Sequence, residues 1–593
     1  MKLKITIFVS LLLLIGNNIV TSVEITVQGN VPTLEINIDP YSTIYEGDII
    51  DCDITGDPTI LYWQINDGSK HYTFHDNDPV IFDPEPTPLN SEYVNLTVYA
   101  ENELGNSYKT IKVRIKRIFF GDIHWHTQFS DGDNPIDTMY QNAIKDNYLD
   151  FVCCSDHAEW IDGLTKSNIE NIWKKPRDII KNVWYFRVAI QNIIYYSRNG
   201  YNNWEIIKQK ANEYYDEGNF TTFIGFEWSG KSKQDFHTNF YYKDVYPDAN
   251  EYSCSDVYNK QNSKSTLEDV YQAMADEYEK GHLNIAFPHH PLFIEANWSY
   301  LANNLTKTNR YKILRGVEVY STWGNSLGNK FTPDLPFPWP SYSPKDALDR
   351  NNSYVENALW EFSKNDNKYQ KFSFIASSDI HKIDRPGSAR NETGYYRHPY
   401  YPAGIIAAYS VHNNRSEIWD AMNNCDMYAT QLLKIRANAR FDKQMALGRW
   451  INCSSPLNVT ITAMSTFPDL DRSSKSMCPH LYSEEMLDNP IQDIWLIKKD
   501  KERGRPWCKI IGHKQPNKNL VVVDFEDPDV KPNDFYFVAI RQRGDKLIPE
   551  IISCLIKLKP DLISYFLVNI EQRGDYMAYI GPIFIDNVTN IQN

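Results

Sequence analysis

Six short clusters of histidine and acid constrain this chain more than any other feature. They are Gly121–His126 (GDIHWH), Ser155–Glu159 (SDHAE), Gly225–Gly230 (GFEWSG), His237–Phe240 (HTNF), Phe287–Pro291 (FPHHP) and Ser377–His381 (SSDIH), and together they hold seven of the fourteen histidines. Five of the six follow a short apolar, strand-like run. Imidazole and carboxylate are the usual ligands of catalytic zinc, manganese and iron. One His-x-His says little, because alternate strand residues share a face by geometry alone. Each cluster also has a plainer reading: Asp156 as a turn former, Glu227 as a satisfied core acid, FPHHP as a turn. Those readings treat the clusters one at a time. Gathering so many polar groups without a shared ligand would cost desolvation for no return.

The clusters lie in the part of the chain where strand and helix signals alternate. Phe119–His124, Phe151–Cys154, Thr222–Phe226, Ile285–Phe287, Gly316–Tyr320, Phe372–Ala376 and Gly404–Ala408 read as short apolar strands. Between them, Asn134 and Pro135 open a helix whose apolar stripe is Ile136, Met139, Tyr140, Ala143 and Ile144. A second helix covers Asn203–Asp216, and a third starts at a Ser265/Glu268 capping box and stops at Gly281. Such alternation predicts a parallel sheet, most economically a closed barrel over residues 118–432. Side chains at the carboxyl ends of its strands would converge on one mouth.

The flanks read as all-β. Residues 23–116 show strands and turns, with Trp63 in mid-strand after Cys52, as in an immunoglobulin-like sandwich that lacks the second cysteine. Residues 433–593 read as a C-terminal β-sandwich. A chain of 593 residues is expected to hold about three or four domains. Residues 1–22 resemble a secretory signal. Lys2 and Lys4 precede the apolar run Ile5–Ile15, too short to span a bilayer comfortably, and Val20-Thr21-Ser22 offers a cleavage site. The expected location is therefore secreted or on the extracellular surface, with the periplasm as its bacterial equivalent; an uncleaved anchor is the alternative. Cys453, Cys478 and Cys508 are the best bridge candidates among nine cysteines. The net charge of −15 argues against nucleic acid as a partner.

The ordered motifs His124-x-His126, Ser130-Asp131-Gly132, Ser155-Asp156-His157, Glu227, His289–His290 and Asp379-x-His381 resemble the PHP (polymerase and histidinol phosphatase) superfamily. Phe120-Gly121-Asp122, His237-x-Asn239, Val317–Ser321, Arg385-Pro386-Gly387 and Tyr428-Ala429-Thr430 are similar to an exported branch catalogued as domain of unknown function 3604. The resemblance implies a distorted (β/α)7 barrel with two or three divalent ions (zinc, manganese or iron), acting as a phosphoesterase. It places one ion at His124, His126, Glu227 and Asp379, a second at Glu227 with His289 or His290, and a third at Asp131, His157 and His381. Asp379, His381, Arg385 and His237 are the candidates for catalysis or substrate contact, and Lys231 and Lys233 for phosphate contact. Glu318 would stand behind a ligand.

The expected function is an exported metal-dependent hydrolase of small-molecule or glycan-linked phosphate esters, with no nucleic acid and no stable membrane insertion after signal cleavage. A hydrolase of another bond (sulfate ester or amide) and a non-catalytic glycan-binding surface protein with structural metal are the alternatives.

Overall fold

A computed structural model describes residues 30–72, 80–132, 134–145, 149–161, 203–230, 236–254, 263–264, 266–292, 297–306, 313–321, 323–328, 353–364, 371–381, 404–431, 434–465, 490–500, 507–542 and 576–590. The signal-like segment, Lys231, Lys233, Arg385 and Cys478 lie outside the described residues. The chain divides into two compact units, Met1–Arg117 and Ile118–Asn593.

The first unit is all-β. Thr33–Ile36 pairs antiparallel with Cys52–Thr55. A second sheet runs His71–Tyr72, Ile60–Ile65, Val94–Asn102 and the first part of Gly105–Asp122, all antiparallel, with Thr43–Tyr45 added in parallel. Val94, Leu96 and Val98 are buried while their neighbours are not, the period of two that a one-sided sheet requires. They pack with Trp63, Ile65, Val113 and Ile115, and the Trp63 indole donates to Val80 O at 3.1 Å.

In the second unit one sheet runs Asn284–Pro288, His237–Tyr242, Thr221–Ser229, Phe151–Cys154, the end of Gly105–Asp122, Gly404–Ser410, Met427–Gln431, Tyr576–Asn590, Phe535–Gln542, Ile491–Asp500 and Trp507–Lys514. The pairings of Phe151–Cys154 with its two neighbours are parallel. Those of His237–Tyr242 with its two neighbours are antiparallel. Gly316–Ser321 lies parallel to Ser373–Ala376 in a separate three-stranded sheet, and Arg436–Phe441, Leu457–Met464 and Leu520–Asp527 form another.

This architecture corrects the expected fold class. A (β/α)7 barrel needs parallel strands joined by helical crossovers, whereas the described residues form large mixed sheets with few helices. The connection 230–236 is too short for a crossover, and its two strands pair as antiparallel neighbours. The C-terminal strands do not stand apart as a sandwich: Ala429 and Thr430 pair with Tyr579 and Ala578 in the same sheet. The molecule is a β-rich multidomain fold, and neither the immunoglobulin-like label nor the barrel describes it. The bridge expectation also fails where it can be read. Cys453 and Cys508 are free and buried in strands.

One core gathers Phe151, Cys153, Phe223, Tyr241, Ile285, Phe287, Ile375, Ile406 and Met427, and the helix Arg415–Asn423 packs on it through Ile418, Trp419 and Met422. Strands of both sheets therefore contribute to one interior, with the histidine-bearing segments at their ends. Among the described residues, no helix is long and apolar enough to cross a membrane.

Candidate metal centre

The first cluster is built by alternation. His124 and His126 lie on one side of an extended segment, and Trp125, fully buried on the other, meets the Tyr140 ring edge-on at 5.4 Å. A bridge between Trp125 and Ile380 brings the His-x-His segment beside Asp379-x-His381. Its backbone bonds are Asp379 N to His124 O at 2.7 Å and His126 N to Ile380 O at 2.9 Å. A second bridge joins His157 to Glu227. His289 N donates to His237 O at 3.1 Å, which extends the pairing of those strands to the site.

Four inward-facing atoms then converge. Nε2 of His124 lies 3.3 Å from both Glu227 Oε2 and Asp379 Oδ1. Nε2 of His126 lies 3.3 Å from Glu227 Oε2 and 3.2 Å from Asp379 Oδ1. One ring nitrogen carries at most one proton and cannot direct it at two carboxylates at once. A tetrahedral ion with ligands at about 2.0–2.1 Å sets its donors about 3.3–3.4 Å apart, and the four nitrogen–oxygen distances here are close to that length.

The outward nitrogens fit the same reading. His124 Nδ1 lies 3.2 Å from Glu318 Oε2, and His381 Nδ1 lies 3.1 Å from Asp379 O. His157 Nδ1 lies 2.7 Å from Ser229 Oγ, which in turn donates to Glu227 Oε1 at 2.9 Å. A proton held on each outer nitrogen leaves the inner lone pair for a cation. His157 Nε2 and His381 Nε2 lie 3.5 and 3.1 Å from Asp131 Oδ2, making a second, more exposed group with His126.

A third set surrounds the other oxygen of Glu227. Oε1 lies 3.0 Å from His237 Nδ1 and 3.3 Å from His289 Nε2. His289 is fully buried, and neither ring nitrogen has a hydrogen-bond partner among the described residues. Burial, then the neighbouring His124, hold its pKa well below the usual histidine value. A neutral nitrogen aimed at a carboxylate oxygen without a shared proton is what a cation between them would require. His290 lies with His237 and His289 as a further candidate ligand, and its Nδ1 is 3.0 Å from Asp379 Oδ2. Both residues of that contact have positive φ, 26° at His290 and 54° at Asp379. Strained backbone of this kind costs about 1–3 kcal/mol per residue and concentrates at functional sites.

The structure thus joins His124, His126, Asp131, His157, Glu227, His237, His289, His290, Asp379 and His381 in one network. Ser229 and Asp122 were not anticipated. Ser229 lies two residues beyond Glu227, a spacing that puts both side chains on one face and is readable in the sequence. Asp122 Oδ1 accepts from the backbone N–H of Ser378 at 3.1 Å and of His124 at 3.2 Å, fixing two ligand-bearing segments together.

Glu318 ties three segments. It accepts from His290 N at 3.1 Å and from the Ser377 hydroxyl while facing His124. Glu318→Gln is expected to keep the fold and weaken metal binding roughly 10–100-fold. A competition titration with a chelating dye measures this, and an unchanged affinity would show that His124 needs no support from Glu318.

A model of the family described as "Protein of unknown function (DUF3604)" matches residues 186–300, the stretch that holds Glu227, His237, His289 and His290. No curated protein matches. Among solved structures, a Bacteroides vulgatus two-domain protein containing a predicted PHP-like metal-dependent phosphoesterase is similar at 13% identity, over 73% of this chain and 92% of that one, with a TM-score of 0.28. A Bacteroides uniformis β-glucuronidase is similar at 8% identity, over 94% of this chain and 61% of that one, with a TM-score of 0.17. Likenesses this slight carry no argument about the site.

Proposed function

We propose that the protein is an exported metal-dependent hydrolase of phosphate esters. The observation that carries this reading is the convergence of His124, His126, Glu227 and Asp379 beside a second group, Asp131, His157 and His381, that is more open to solvent. The nitrogen–oxygen distances of the buried group support an ion there, and side-chain exposures of 18% at His157, 14% at His381 and 22% at His237 mark where substrate would approach.

His124, His126, Glu227 and Asp379 would hold one ion. Asp131, His157 and His381 would hold another, and Glu227 with His289 a third. When bound, such ions lower the pKa of water and offset charge on phosphoryl oxygens. The carboxylates fix the sign of the site. Glu227, Asp379 and Asp131 would repel an anionic ester unless cations covered them, so ester binding and metal binding are one event. His237 sits at the rim beside Glu227 Oε1 and is placed to orient the ester by hydrogen bonding. His381, tied through Nδ1 to the Asp379 carbonyl, presents its other nitrogen inward beside Asp131, where both would face the same ion. Arg385 follows Asp379-x-His381 in sequence, and its guanidinium suits bidentate capture of phosphate oxygens. The acidic chain favours a small-molecule or glycan-linked ester over a nucleic acid. Lys2, Lys4 and the run Ile5–Ile15 support export.

The purified protein, loaded in turn with zinc, manganese and iron(II), is tested on aryl phosphomonoesters, phosphodiesters, sulfate esters and anilides. Turnover of a phosphate ester that a chelator abolishes and metal restores is the expected result. Turnover confined to sulfate esters or anilides would overturn the choice of bond.

A further inference from the structure

Asp131, the one carboxylate in the exposed group, sits on the loop Thr127–Gly132. Local bonds give this loop its shape. Thr127 O accepts from Ser130 N at 3.1 Å and Gly132 N at 3.0 Å, and Thr127 Oγ1 accepts from Phe129 N at 3.1 Å. The close approach of Gly132, where a Cβ would lie 2.3 Å from His126 O, presses the loop against the His-x-His segment.

Its link to the neighbouring strand comes from a carboxylate that is no part of the ligand network. Asp156 is fully buried. Its Oδ1 accepts from Thr127 N at 2.7 Å and from the Ser130 hydroxyl. Its Oδ2 accepts from Thr127 Oγ1 at 2.6 Å and Cys154 Sγ at 2.9 Å. The backbone of Asp156 is itself fixed, since its carbonyl accepts from Glu227 N at 3.0 Å and the preceding Ser155 N donates to Trp125 O at 3.1 Å. The next residue is His157. One side chain therefore clamps the Asp131 loop to the strand end that presents His157 and abuts Glu227.

We propose that Asp156 is a positioning residue that assembles the Asp131–His157–His381 group, separately from the buried His124–His126–Glu227–Asp379 group. Its bonds reach the loop of the first group, which meets the second at His126, whose Nδ1 lies 3.3 Å from Ser130 Oγ, while Asp122 and Glu318 brace the rest of the second. This rests on the metal reading above and extends it. The two groups meet at His126 but differ in what else builds them, so substitution of Asp156 is expected to act first on the Asp131 group.

The test uses cobalt(II) as the probe, with bound metal counted by elemental analysis and its geometry followed by visible absorption. Wild type, Asp131→Ala, Asp156→Ala, the double variant and Thr127→Val are compared. Asp156→Ala is expected to lose the same class of ion and the same spectral band as Asp131→Ala, with the remaining metal held as in wild type. The double variant is expected to be no worse than Asp131→Ala alone. Thr127→Val, which removes one bond to Asp156, is expected to weaken that class roughly 10-fold and leave the other unchanged. Asp156→Ala binding every ion with wild-type affinity would overturn the proposal, as would equal weakening of both classes in Thr127→Val, the mark of a general structural role. If Asp156→Ala fails to fold, Thr127→Val decides. Wild type that binds no cobalt would overturn the metal reading and this proposal together, whereas a wild type that binds it and an Asp156→Ala that matches it would overturn this proposal alone.

Discussion

Replacing Glu227 by glutamine is expected to abolish turnover and to cost more metal affinity than any other single substitution in the site. No other side chain touches as much of it. Oε2 faces the Nε2 atoms of His124 and His126, and Oε1 faces His157, His237 and His289 within 3.4 Å. An amide there places an N–H₂ group among nitrogens and removes a charge shared between two groups of ligands. Partners one step outside a metal cost roughly 10–100-fold in affinity when removed, and a residue on the ligand side should exceed that. The metal-free protein should suffer too. Breaking a buried charge pair by removing one partner typically costs about 3–5 kcal/mol, and Glu227 is almost wholly buried. Calorimetric melting of metal-free wild type and Glu227→Gln measures this second effect, and equal melting temperatures would show that Glu227 carries no charge pairing.

The second large effect is that of pH on metal uptake. Burial alone would lower the pKa of His124, but Asp379 and the adjacent Glu227 and Glu318 carboxylates outweigh it and raise it to about 10 in the metal-free protein. His157 is opposed by burial in the same way and raised to about 9 by Glu227 and Asp131. In Glu227 and Asp379 burial works against ionisation, and the histidines prevail, holding both carboxyls well below the usual carboxylate range.

The signs follow from linkage. The raised histidines stabilise the metal-free fold fully below the unfolded value of about 6.5, and this contribution is lost as pH rises through about 9 to 10. The depressed carboxyls stabilise it above their unfolded values of about 4, and theirs is lost only in strong acid. Metal must displace the histidine protons, so its affinity should rise with pH through neutrality, roughly tenfold per unit for each proton released. Titration calorimetry in buffers of different ionisation enthalpy counts those protons. Metal binding that releases none, with affinity flat from pH 6 to 8, would contradict the placement of metal at His124 and His157. Chelation should also lower the melting temperature, since an ion at a thousandfold excess over its dissociation constant adds about 4 kcal/mol.

Local structure was far more legible in the chain than its arrangement. Phe151–Cys154 is a buried apolar run and forms a strand over those residues. The helix at Ile136–Ile144 buries Ile136, Met139, Tyr140 and Ala143, as its stripe required, while Ile144 falls on the exposed side. The third helix is capped by Thr266 through Asp269 N, one residue beyond the expected box. What failed was the inference from alternation to a parallel barrel. His237–Tyr242 is buried along nearly its whole length, so it lacks the period of two that would have marked it as a strand. Its insertion between Thr221–Ser229 and Asn284–Pro288 turned an expected parallel order into an antiparallel one.

The ligand-type residues were legible because strand ends repeat one chemistry. Of the buried acids behind them, Glu318 is readable as standing behind a ligand, whereas Asp122 and Asp156 carry no such sign. All three act on groups distant in sequence, such as Ser378 for Asp122 and His124 for Glu318, and no local pattern identifies those partners. The choice between His289 and His290 beside Glu227 also needed coordinates, because adjacent residues in a turn give no sign of which ring turns inward.

The central claim is that these side chains form a metal centre, and the most direct test is elemental analysis of the purified protein in parallel with Glu227→Gln. The account predicts two or three equivalents of zinc, manganese or iron in wild type and a clear loss in the variant. Less than one equivalent in wild type, persisting after incubation with each metal, would contradict it.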